Sequence, residues 1–178
     1  MRKIIWFVLV WVCILMVHTP VKAEINYNLL YNWSFQPSNV QMDLVQKHTD
    51  IQVVDQLDWT SPDLADTYAY TSMYRIPNTN KVSHIEVRIQ KGLETTLSHE
   101  VGHCLSNYKD NLYWWCYQPI FEQIWMLERY NNTMMAQGWN DVREYFACAY
   151  DLYIRYPELL KRTCPMTYNY ITVVLNYT

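Results

Sequence analysis

Residues 93–105 read LETTLSHEVGHCL. Leu93, Leu97, Val101 and Leu105 recur at every fourth position, the spacing at which side chains return to one face of an α-helix, so a helix is expected to open here. His99 and His103 share another face of it, with Glu100 beside the first. Two imidazoles at i and i+4 can ligate one metal ion, and a carboxylate next to the first can reach a water on that ion. Chance ordering of this chain's own histidines and glutamates would give the pattern roughly 0.006 times, so accident is a poor account of it. The plain alternative is a pair of histidines hydrogen-bonded on a helix surface. Gly102 adds weight: glycine inside a helix costs up to ~1 kcal/mol relative to alanine, and the chain has only three, so a neighbouring strand or backbone is expected to come close there, the alternative being a tolerated weak spot.

The chemistry that this pattern serves is hydrolysis. Zn²⁺ lowers the pKa of its water towards ~7 and polarises a carbonyl, while a glutamate takes the proton and delivers it to a leaving amine. A tetrahedral catalytic site needs a third protein ligand. Glu144 leads the candidates, ahead of Glu122, Glu128 and Asp141, because it sits in the first turn of a largely apolar helix.

Upstream, Ser38 can cap a helix running to about Lys47, and IQVVD at 51–55 reads as a strand. After the turn signal TSPD, residues 67–76 and the alternating HIEVRI at 84–89 form an expected β-hairpin around PNTN. His84, Glu86 and Arg88 fall on one face of its second strand and Ile85, Val87 and Ile89 on the other. Downstream, Ile120, Ile124 and Leu127 mark a helix, and Asn140 can cap another from about Asp141 to Tyr156. The apolar face of that helix gathers Val142, Tyr145, Phe146, Ala149, Leu152, Tyr153 and Tyr156. Glu144, Cys148, Asp151 and Arg155 lie on the far flank, where periodicity permits Glu144 to face solvent. Pro157 ends the helix or begins another turn, and Pro165 opens a final helix to near Asn176.

Arg2 and Lys3 precede an apolar run from Ile4 to Val17, and Val21-Lys22-Ala23 offers small residues for a signal peptidase, so residues 1–23 read as a leader cleaved after Ala23. An uncleaved anchor is the alternative, and contact with a membrane is expected only in that case. Residues 24–178 have the length of one domain. A net charge of −3 with scattered basic residues gives no sign of a nucleic-acid surface. Cys104, Cys116, Cys148 and Cys164 remain in the exported chain, either as two disulfides or as small buried hydrophobes, and no CxxC spacing points to a thiolate metal site.

HEVGH, then REYFACAYDLY at 143–153, then CPMTYNYI at 164–171, together resemble the lethal-factor-like zinc peptidases, which include the catalytic domain of anthrax lethal factor and the secreted Pro-Pro endopeptidases of Gram-positive bacteria. The resemblance implies an α+β, zincin-type fold for residues 24–178, with a small mixed or antiparallel sheet, the HExxH helix and a C-terminal helical subdomain. It implies one Zn²⁺ per chain on His99, His103 and Glu144, with Glu100 as general base in a secreted metalloendopeptidase. An extended peptide or protein substrate would then pair with the strand at 84–89. Two positions depart from the family pattern. Gln137 stands where a tyrosine would stabilise the oxyanion, and its amide is the expected donor; a shifted alignment would bring in Trp139 or Tyr130 instead. Cys148 stands where an acid would support a histidine. These departures keep open a second reading, a zinc-binding but catalytically silent relative that captures a peptide or protein partner. A membrane-anchored interaction protein would rest on the N-terminal run alone.

Overall fold

A computed structural model describes residues 26–57, 68–79, 81–107 and 114–178. The expected leader at 1–23 and the TSPD turn at 60–63 lie outside these residues. Helix α1 (Tyr27–Ser34) was not foreseen; Asn26 Oδ1 caps it by accepting from Leu29 N at 2.9 Å. Helix α2 (Ser38–Gln46) starts at Ser38, so the cap is Pro37 and not Ser38. Pro37 has the extended ψ of 145° that a cap position needs, which leaves Ser38 already inside the first turn.

Three strands follow, β1 (Thr49–Val54), β2 (Ala69–Arg75) and β3 (Val82–Gln90), in the order β1-β3-β2. β2 and β3 form the expected hairpin, closed by Ile76 N donating to Lys81 O at 2.9 Å, with Asn78 at φ 61°. Asparagine tolerates this left-handed conformation better than most residues. The alternation in HIEVRI is realised: Ile85, Val87 and Ile89 are fully buried. One expectation must be corrected. The 84–89 strand pairs with β1 in parallel on one side and with β2 antiparallel on the other, so its backbone groups are committed to both neighbours. Among the described residues β2, not β3, is the edge strand on that side.

Gly92, at φ 90°, turns the chain out of β3 into a single 3₁₀ turn (Glu94–Thr96), from which α3 (Leu97–Leu105) continues. The helix thus begins four residues after Leu93, because Thr96 bonds back to the Leu93 carbonyl through both its N–H and its hydroxyl. Helix α4 (Pro119–Glu128) buries Phe121, Ile124 and Glu128, while Ile120 and Leu127 are 56% and 68% exposed, so the buried stripe is offset from the expected one. A second 3₁₀ segment (Thr133–Trp139), also unforeseen, leads to α5 (Val142–Arg155). Asp141, not Asn140, caps α5: its carboxylate accepts from Arg143 N at 2.8 Å, and Asp141 has the extended backbone of a cap whereas Asn140 does not. Pro157 begins a further helix, α6 (Pro157–Thr163), and Pro165 opens α7 (Pro165–Tyr177) as expected.

The result is a mixed α+β fold with a small three-stranded sheet. Its core joins β3 to Leu97, Val101 and Leu105 of α3, to Tyr145, Phe146, Ala149 and Leu152 of α5, and to Ile171 and Val174 of α7. The four cysteines beyond residue 100 are buried thiols with no disulfide between them, so of the two expectations the hydrophobe reading holds. Among the described residues no helix is long and apolar enough to cross a membrane.

Candidate metal centre

The site forms where α3 crosses α5. A Cβ at Gly102 would lie 2.7 Å from Ala147 Cα and 3.1 Å from its carbonyl oxygen, so only glycine lets the two backbones approach this closely. The close neighbour anticipated at Gly102 is therefore a helix backbone. A buried chain of hydrogen bonds holds the same crossing: Tyr150 Oη donates to Gln36 Oε1 at 2.7 Å, and Gln36 Nε2 donates to Ser98 Oγ at 2.9 Å. Lys47 Nζ reaches the carbonyls of Cys104 at 3.3 Å and Asn107 at 2.9 Å, placing a cation at the end of α3 where the helix dipole favours it.

Across this crossing His99 Nε2 lies 3.2 Å and His103 Nε2 3.4 Å from the two carboxylate oxygens of Glu144. One donor atom from each of the three side chains falls within 4.8 Å of the others, an arrangement that could hold a metal ion. Two imidazole nitrogens and a carboxylate oxygen are a donor set that suits zinc with one position left open. Glu144 is thus brought to the histidines and does not face away. The stripe it shares with Cys148, Asp151 and Arg155 lines a cleft of about 710 Å³, together with Tyr68 to Thr71 of the β2 region. The other acids weighed as third ligand are elsewhere: Asp141 caps α5, Glu128 holds the start of α7, and Glu122 is not in the cluster.

Charge within the group is self-consistent. Burial opposes protonation of His99, but hydrogen bonds with Cys148 and Glu144 and the nearby Glu100 carboxylate outweigh it and push its pKa up to about 10. Burial likewise acts to raise the pKa of Glu144, yet the hydrogen bonds from His103 and His99 hold it well below the usual carboxylate range. The group is a half-buried ion pair, and a metal must displace its proton.

Glu100 is 4% exposed and sits one residue from His99 on the cleft wall. Gln137 also lines the cleft, its Oε1 accepting from the Cys148 thiol at 3.8 Å, while Cys148 Sγ lies 3.7 Å from His99 Nδ1. Trp139 and Tyr130 are absent from the lining and pack on each other, ring centroids 5.5 Å apart, so of the three Gln137 alone lines the cleft.

The family model described as anthrax toxin lethal factor, N- and C-terminal domain, matches residues 21–174. The chain belongs to this lethal factor family. No curated protein matches it. The matched span of this lethal factor-like chain runs from before α1 into α7 and contains every residue of the centre. One member of the site escaped the reading of the sequence. Thr71 Oγ1 donates to Glu100 Oε2 at 2.6 Å. The available signal was a hydroxyl between Ala69 and Met73 on the inward face of a strand, where apolar residues belong.

Proposed function

We propose that this chain is an exported, zincin-type zinc metalloendopeptidase. The observation that carries the reading is the convergence of His99, His103 and Glu144 in one cleft, with the Glu100 carboxylate buried beside them. Family membership supports it only coarsely, since the matching model covers two lethal factor domains. His99, His103 and Glu144 would hold the ion. Zinc bound there supplies Lewis acidity, polarising a carbonyl and acidifying a water. Glu100 takes the proton of the attacking water and returns it to the departing nitrogen. An extended peptide lies along β2, whose Ala69–Thr71 stretch lines the cleft with Tyr68 before it, and the Gln137 amide donates to the oxygen on which charge develops. Arg2-Lys3, the apolar run and Ala23 support export with cleavage of the leader.

A second reading, a zinc-binding but silent relative, draws on Gln137: it is exposed, and its carbonyl end is turned to the Cys148 thiol. Three proteins separate the readings: wild type, Glu100→Ala and Gln137→Tyr. Each is assayed for zinc by atomic emission and for cleavage of a peptide library. The peptidase reading expects equal zinc in wild type and Glu100→Ala, with cleavage only in wild type. Cleavage by Gln137→Tyr but not by wild type makes the native chain the silent relative. Equal cleavage by wild type and Glu100→Ala removes Glu100 as the base.

A further inference from the structure

We propose that Thr71 is a positioning residue for Glu100, fixing the proton-transferring carboxylate from the strand along which substrate lies. The inference rests on the reading of Glu100 as the base. Three observations carry it. Thr71 is on the inward face of β2, opposite Val87 and between Ala69 and Met73, where an unpaired hydroxyl would be unfavourable. Besides the neighbouring Cys104 thiol, its one hydroxyl proton has two oxygen acceptors within reach, Glu100 Oε2 at 2.6 Å and the Glu100 carbonyl at 3.3 Å, and the shorter bond is to the carboxylate. Glu100 is almost fully buried, and this is the one side-chain hydrogen bond given to its carboxylate among the described residues.

A carboxylate held by one oxygen has its plane and its second oxygen set. With Oε2 committed to Thr71, Oε1 is the oxygen left to take a water's proton on the cleft wall that Glu100 lines. Because the donor belongs to the edge strand, any adjustment of β2 when a peptide pairs with it is transmitted to the base through a single bond. A hydroxyl-free side chain of the same shape would keep the packing and release the carboxylate.

The test uses Thr71→Val, Thr71→Ser, Glu100→Gln and Glu100→Ala. Expected for Thr71→Val is kcat lower by about 10–100-fold, with KM within about twofold and zinc content equal to wild type. Thr71→Ser, which keeps the hydroxyl, should return kcat to within about threefold of wild type. A readout apart from turnover comes from thermal melts of the metal-free proteins. Thr71→Val should lower Tm by roughly 2–10 °C in the wild-type background, where it strands a buried carboxylate, and by far less in Glu100→Ala, where none remains. If Glu100→Gln abolishes turnover while Thr71→Val keeps wild-type kcat, or if the Tm losses add, the positioning role is wrong although the base reading stands. A wild type that cleaves nothing, or a Glu100→Gln that keeps kcat, removes the base reading and this inference with it.

Discussion

At the scale of single residues, the centre is a set of side chains that compensate one another's burial. His99, with its pKa pushed up to about 10 in the folded metal-free chain, compares with ~6.5 when unfolded. A raised folded pKa contributes stability that is complete below the unfolded value and is lost as pH climbs through the folded one. The Tm of the metal-free protein should therefore fall between about pH 6.5 and 10, and His99→Gln should flatten that fall. A melt series across this range checks it; equal slopes in the two proteins would place the pH dependence elsewhere. Gly102 works by absence. Gly102→Ala would set a methyl 2.7 Å from Ala147 Cα, and overpacking against backbone typically costs about 1–3 kcal/mol. The expected outcome is a lower Tm together with weaker zinc retention, since α3 carries both histidines away from Glu144. HEVGH was legible because its chemistry lies within one helical turn. The hydroxyl of Thr71 was not, because its partner is 29 residues away on another element.

At the scale of elements, helices and strands were found where a period of four or of two persisted, as at Leu97–Val101–Leu105 and Ile85–Val87–Ile89. Boundaries were decided by capping geometry, which moved the start of α5 from Asn140 to the Asp141 cap. The stripe of α4 shifted because its burial is set by what it packs against: Phe121 meets Tyr145, Phe146 and Tyr170. The last residue of α4, Glu128, is buried and accepts from Met166 N at 3.0 Å, Thr167 N at 2.9 Å and Thr167 Oγ1 at 2.7 Å. A carboxylate at these amides satisfies the open N–H groups at the start of α7 and complements its dipole. Glu128→Ala should thus cost about 2–4 kcal/mol by urea unfolding, with Glu128→Gln losing less because its amide oxygen still accepts. Zinc content should survive in both variants, which separates this buried acid from Glu144.

At the scale of the whole molecule, stability comes from a core shared by sheet and helices, with no disulfide closing it among the described residues. Reductant should leave Tm within about 1 °C, whereas breaking even one native disulfide in a small domain typically costs 2–5 kcal/mol. A Tm drop of several degrees on reduction would show cross-links that the buried thiols do not make. The sequence by itself determined the hairpin, the motif helix with His99, Glu100 and His103, and the apolar helix bearing Glu144, because each follows from a local period or a spacing within one turn; the α+β class came with the family resemblance. Only the tertiary structure decided that Glu144 turns to the histidines, that β3 is central and leaves β2 as the edge beside the cleft, and that Thr71 holds Glu100. Those outcomes depend on which elements pack together, and non-local packing leaves no period in the chain: the α3–α5 crossing at Gly102 and Ala147 is where it is settled.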